Sequence, residues 1–82
     1  MDTPQEVDPR TGFYYVSVVD GPRHSLLSGP YTDHSAALAD VEPVRTVANR
    51  VDLKSHFYAF GTCRSEIDRG QGILNQHGLF NL

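Results

Sequence analysis

Residues Thr32–Val51, TDHSAALADVEPVRTVANRV, decide how this chain folds. Ala37, Leu38, Val41, Val44, Val47, Ala48 and Val51 supply the apolar side. The central row of Ala37, Val41, Val44, Ala48 and Val51 advances in steps of four, three, four and three. That spacing lines one face of an α-helix. Thr32 or Asp33 is the expected N-cap, because a side-chain oxygen there can accept an orphan N–H of the first turn. Pro43 conflicts with a helix interior, since it removes a backbone hydrogen bond and crowds the preceding turn. Two short helices meeting near Glu42, or one kinked helix, would both accommodate it. The apolar row stays in phase across Pro43, and Pro43 falls on the outer side. A single kinked helix, curved around a core, is therefore expected.

The flanking segments read as strands. FYYVSVVD, residues 13–20, is rich in β-branched and aromatic types. Tyr14, Val16 and Val18 point one way; Phe13, Tyr15, Ser17 and Val19 point the other. The first set is the better partner for the helix, because the second contains Ser17. Asp20-Gly21-Pro22-Arg23 is a turn signal. HSLLSG, residues 24–29, is expected to pair back on the first strand, with Gly29-Pro30 ending it. After a short connection at residues 52–55, HFYAFGTC at 56–63 predicts a third strand. Its Tyr58, Phe60 and Thr62 share one face; Phe57, Ala59 and Cys63 share the other. Gly61 suggests a bulge or a close backbone approach.

The fold expected is α+β, in the order ββαβ: a three-stranded, mainly antiparallel sheet with one kinked helix packed on one face. Residues 1–12 are expected to form a flexible arm, 13–64 the single domain, and 65–82 a tail that is docked or mobile, carrying the apolar pairs Ile73-Leu74 and Leu79-Phe80. An 82-residue chain buries only roughly 60–65% of the surface its unfolded form exposes. One helix covers one face of a sheet. The other face, with Phe13, Tyr15 and Val19 on the first strand and Phe57 on the third segment, is expected to remain exposed, and Tyr58 is counted with them as a partner-binding residue. Such an apolar patch marks an interaction surface. Its expected occupant is a protein partner, with cover by the tail or a second copy stacked sheet on sheet as the alternatives.

Chemistry is sparsely indicated. Ten acidic and seven basic residues give a net charge of −3, which weighs against non-specific nucleic-acid binding. Arg45, Arg50, Lys54 and Arg64 are the cations that could still form a nucleic-acid surface, with Tyr58 and Phe60 as stacking partners. The histidines at 24, 34, 56 and 77 lack the short ligand spacing of zinc sites. Cys63 and His56 are separated by roughly 23 Å on one strand, beyond hydrogen-bond reach. Gly70-Gln71-Gly72 is too short for a phosphate loop. Glu66 and Asp68 stand on an irregular polar stretch. No catalytic residue, metal or cofactor is expected. One cysteine excludes an internal disulfide and fits a reducing compartment. No apolar run reaches the ~20 residues of a bilayer span, and MDTPQEVDPR lacks the apolar core of a secretory signal. The expected setting is the cytoplasm.

The run FYYVSVVDGPRHSLLSGPYTDHSAAL, with HFYAFGT later, resembles small uncharacterised proteins encoded on bacterial phages, plasmids and integrated elements. The likeness covers about residues 12–64. It implies an accessory gene of a mobile element, a class that often encodes small proteins that bind and modulate host or defence proteins, anti-CRISPR inhibitors among them. LLSGPYTDHSAALADV is similar to the strand–Gly-Pro-aromatic–helix step of SPOR peptidoglycan-binding domains, but to one repeat half only. It implies a shared strand-to-helix turn and not glycan binding. Function is therefore expected to be non-enzymatic protein binding, with a small nucleic-acid-binding regulator as the alternative.

Overall fold

The computed structural model describes residues 7–82. β1 (Phe13–Asp20) and β2 (Arg23–Tyr31) form a hairpin, followed by α1 (His34–Val51), a 3-10 helix (Leu53–Phe57), β3 (Ala59–Ser65) and the short α2 (Ile73–Gln76). The sheet order is β2-β1-β3, and β1 pairs antiparallel with both neighbours.

α1 runs continuously through Pro43, which sits exposed on its outer side. The single-helix expectation therefore holds, and the geometry does not establish a kink. Asp33 is the N-cap: its carboxylate accepts the Ala36 N–H at 2.8 Å. The helix lays Ala37, Val44 and Ala48 on Tyr14, Val16 and Val18, with Leu27, Tyr31 and Leu74 completing the buried cluster. Each large apolar side chain in it contributes about 1.5–3 kcal/mol through removal from water.

Two strand boundaries differ from those expected. β2 continues through Pro30 to Tyr31. A proline ends a central strand because it has no N–H to give, but β2 is an edge strand, where that donor is dispensable. Register irregularities between Tyr14 and Ser17 mark where β2 bulges against β1. β3 begins at Ala59, three residues late. The Asp52 carboxylate accepts the Lys54 N–H at 2.9 Å and its carbonyl accepts the Ser55 N–H at 3.0 Å. Those local bonds wind residues 53–57 into a 3-10 turn in spite of their strand-like composition. The buried Ser55 hydroxyl donates to Asn49 Oδ1 and ties that turn to α1.

Residues 65–82 dock. From the end of β3 the chain crosses the sheet face opposite α1. There the Tyr15 hydroxyl donates to the Gly70 carbonyl at 3.0 Å and accepts the Arg69 N–H at 2.9 Å. It then reaches β2, where the Gly72 N–H donates to the Gly29 carbonyl at 3.1 Å. Close packing dictates both glycines, Gly29 within the hairpin and Gly72 at the crossing. A Cβ on Gly29 would lie 2.5 Å from the Tyr15 ring, and one on Gly72 would lie 2.4 Å from the backbone of Leu27 and Ser28. Beyond it, Asn75 accepts the Gly29 N–H at 2.8 Å and donates to the Phe80 carbonyl at 2.7 Å and to Ser28 Oγ at 3.3 Å. Tyr31 donates to Asp40 Oδ2 at 2.7 Å, so the Ser28 hydroxyl, also 2.7 Å away, must donate to Tyr31. One polar chain thus joins α1, β2 and the tail.

The arm is held from Asp8 onward. The Asp8 N–H donates to His34 Nδ1 at 2.7 Å, Tyr14 donates to the Arg10 carbonyl at 2.8 Å, and Arg64 donates to the Thr11 carbonyl at 2.9 and 2.6 Å. The remainder of the expected flexible arm, residues 1–6, lies outside the described residues. No helix among the described residues is long and apolar enough to cross a membrane.

Removing the Asn75 side chain leaves the buried Gly29 N–H without an acceptor. Asn75→Ala is therefore expected to lower the unfolding free energy by about 1–3 kcal/mol, measured by urea titration. Gly72→Ala is expected to release the tail while sparing β1 and α1, seen as lost amide protection at Gly29 and Leu79 in hydrogen exchange.

Candidate interaction site

The sheet face opposite α1 is not the exposed aromatic surface expected. Tyr15 is fully buried, sealed by residues 69–70 and packed against Gly29. Burial pushes its hydroxyl above the ordinary tyrosine range. Phe13 is half-buried, and Val19, at 42% exposed, stands alone at the hairpin end. Tyr15 is thus corrected from a partner-binding residue to a structural one. The physical reason is the tail, whose pairs Ile73-Leu74 and Leu79-Phe80 carry no periodicity from which its path could be read.

Phe57 is also displaced from the sheet, because the 3-10 turn precedes β3. It is 91% exposed, and Leu53 on the same turn is 76% exposed. Val51, the last member of the helical apolar row, is 59% exposed. This turn borders a groove of about 150 Å³ lined mainly by Val18, Leu27, Val51, Tyr58, Phe60 and Leu74. The groove forms where the end of α1, the start of β3 and α2 converge without closing. Tyr58, half-buried, donates weakly to Asp52 Oδ2 at 3.5 Å. Its hydroxyl is pushed up by desolvation and then by the Asp20 and Asp52 carboxylates. One side of the groove is therefore acidic. Sequence reasoning misses Val51 and Leu53 as site residues; the available signal is an apolar row continuing past the capping Asp52 onto a turn with nothing to cover it.

The four cations do not converge as free groups. Arg45 lies over the Phe60 ring at 5.3 Å and pairs with Glu42 at 3.3 Å. Arg50 occupies the last turn of α1, where a cation suits the helix dipole. Lys54 is on the 3-10 turn. Arg64, at the far end of β3, is committed to the Thr11 carbonyl and lies 3.8 Å from Glu66. Phe60 and Tyr58 are half-buried and pack against the core.

His34 is buried beside Tyr14, with ring centroids 5.3 Å apart. Its Nδ1 accepts from Asp8, so its Nε2 carries the proton directed at Thr62 Oγ1, 2.9 Å away. Asp8 in turn is forked by Arg10 at 2.6–3.1 Å, and those bonds hold its carboxyl well below the usual carboxylate range. Thr62, Cys63 and His34 border one hollow of about 210 Å³. Strand alternation, however, turns Cys63 to the opposite face, toward Ser17. On that face His24, from β2, and Cys63, from β3, border a second hollow of about 440 Å³ together with Leu26, Arg64, Ser65 and Arg69. Among the described residues no hydrogen bond joins Cys63 to a histidine, and no group of three His, Cys, Asp or Glu residues could hold a metal ion. The contacts assign His34 and Asp8 to holding the arm.

No protein-family model, curated protein or solved structure matches the chain.

Burial pushes the half-buried Cys63 thiol up, with the Ser17 hydrogen bond and Arg69 opposing. The thiolate is the reactive form, so it appears only at more alkaline pH than in a free cysteine. Iodoacetamide is expected to alkylate the folded protein more slowly than the urea-unfolded chain at mildly alkaline pH. The rate should reach its midpoint at higher pH when folded, followed by mass spectrometry.

Proposed function

We propose that this protein is a non-enzymatic protein-interaction module, an accessory protein of a mobile element that binds and modulates a host or defence protein in the cytoplasm. The observation that carries the reading is the exposed apolar turn Leu53–Phe57 beside its groove. Large apolar side chains held this far into water by a capped, hydrogen-bonded turn cost solubility and add nothing to the core. Aromatic residues seated next to a pocket are the usual anchors of protein interfaces.

The electrostatics narrow the partner. Asp20 and Asp52 flank Tyr58 at the groove, and the whole chain carries −3. The complementary ligand is a protein segment that inserts an apolar side chain and places a lysine or arginine beside it. A groove of about 150 Å³ takes one or two aliphatic side chains, which suits a short helical or extended segment better than a flat domain surface. The likeness of residues 12–64 to mobile-element proteins supports the biological setting; the groove supports the mode of contact.

Phe57 makes little packing of its own, so Phe57→Ala is expected to fold normally. It should weaken partner binding by about 30-fold, the scale of losing one interface anchor. The check is affinity capture from host lysate with wild type and Phe57→Ala side by side, then titration of the identified partner by calorimetry. A partner held equally by both proteins overturns the assignment. So does a bound segment whose amide shifts fall away from Val51–Tyr58 in NMR.

A further inference from the structure

The two edges of the sheet are treated differently. The outer edge of β2 is stitched to the tail through Gly72 and Gly29 and is overlain by α2. β3 is the opposite edge, and among the described residues no backbone group hydrogen-bonds its outer side. Sheet proteins ordinarily blunt such an edge with a proline, a bulge, inward charges or a covering loop. Among the described residues β3 has none of these. Its seven residues AFGTCRS pair with β1 in unbroken register, Phe13 with Ser65 through to Val19 with Ala59. That regularity contrasts with the two irregularities on the β2 side. Its one charged residue, Arg64, is turned to the Thr11 carbonyl.

We propose that β3 pairs antiparallel with β3 of a second copy about a two-fold axis at Thr62, joining two three-stranded sheets into one of six strands. The sequence of the strand is self-complementary in that register. Thr62 meets the second copy's Thr62, a favourable cross-strand pair. Gly61 faces Cys63, Phe60 faces Arg64, and Ala59 faces Ser65. The two Arg64 side chains lie at opposite ends, whereas parallel pairing would set them side by side. Gly61 has no atom within 4 Å of where a Cβ would stand, so a side chain placed there meets open space on the sheet face beside the edge. A two-fold contact of this kind closes on itself and leaves the covered β2 edges outermost, so it stops at a dimer. It uses the backbone edge of β3, sharing Phe60 with the groove lining, and neither assignment depends on the other.

The test is the mass of the full-length protein by sedimentation equilibrium over a range of concentrations. A species of twice the 9.1 kDa chain is expected, with Gly61→Lys reduced to single-chain mass and its circular dichroism unchanged. An edge lysine fits the open space at Gly61 and blocks strand pairing. The register is read separately with Gly61→Cys. Opposed strand residues lie within disulfide reach, so diamide, which takes up the two hydrogens, should link the thiol introduced at position 61 of one chain to Cys63 of the other. Tryptic mapping identifies that bridge. Cys63 in the wild type faces no cysteine in this register and should cross-link at least tenfold more slowly. A wild type that stays monomeric throughout, a dimer that survives Gly61→Lys, or bridges only between like positions would each overturn the proposal.

Discussion

The contact on which this fold rests is a close approach between a helix of small side chains and a stripe of large ones. Ala37, Val44 and Ala48 bring α1 down onto Tyr14, Val16 and Val18. Alanines let the helix sit low, and the tyrosine rings fill the space that short side chains leave. Interiors reach crystalline packing density only through such matching of large against small. The asymmetry also explains why His34 can occupy the core. Stacked on Tyr14 and bonded at both ring nitrogens, it buries a polar ring with its hydrogen-bonding capacity filled.

A single helix protects only one side of a sheet, and an 82-residue chain with one long helix needs another element to cover the other. The tail solves this with few residues. It crosses over Tyr15, reaches β2, and inserts Leu74 into the core from the edge. The crossing is specified by polar groups more than by apolar area. Asn75, Ser28, Tyr31 and Asp40 form one connected chain, and desolvation pushes the Tyr31 hydroxyl far above its usual range. A buried chain with every member bonded admits one arrangement, because any shift strands a donor or acceptor away from water.

Sealing the core in this way consumes the tail and leaves two surfaces without partners among the described residues. One is the end of α1 and the turn after it, where Val51, Leu53 and Phe57 face water beside a groove. The other is the outer edge of β3. Both follow from the same economy, since a chain this short cannot wrap every apolar stripe and every strand edge that its sheet creates. We propose both as contact surfaces, one through side chains and the other through backbone. Arg45 and Arg64, two of the cations that suggest nucleic acid, are drawn into internal contacts with Phe60, Glu42 and Thr11.

The amino-acid sequence by itself determined the hairpin, the helix and the face on which they meet. Alternation along residues 13–19, the apolar row from Ala37 to Val51 and the cap at Asp33 are local or periodic signals, and each is legible without coordinates. The start of β3 is misread from sequence, because the composition of HFYAF favours a strand while the hydrogen bonds of Asp52 impose a turn. The aromatic interaction face is misread more seriously. Tyr15 reads as exposed because nothing periodic in residues 65–82 announces a crossing, and only the folded chain brings Arg69 and Gly70 to its hydroxyl. Strand and helix patterns repeat every two or 3.6 residues and can be read from a stretch of sequence. The tail is held by contacts between groups about fifty residues apart, which no local period encodes and tertiary structure alone decides.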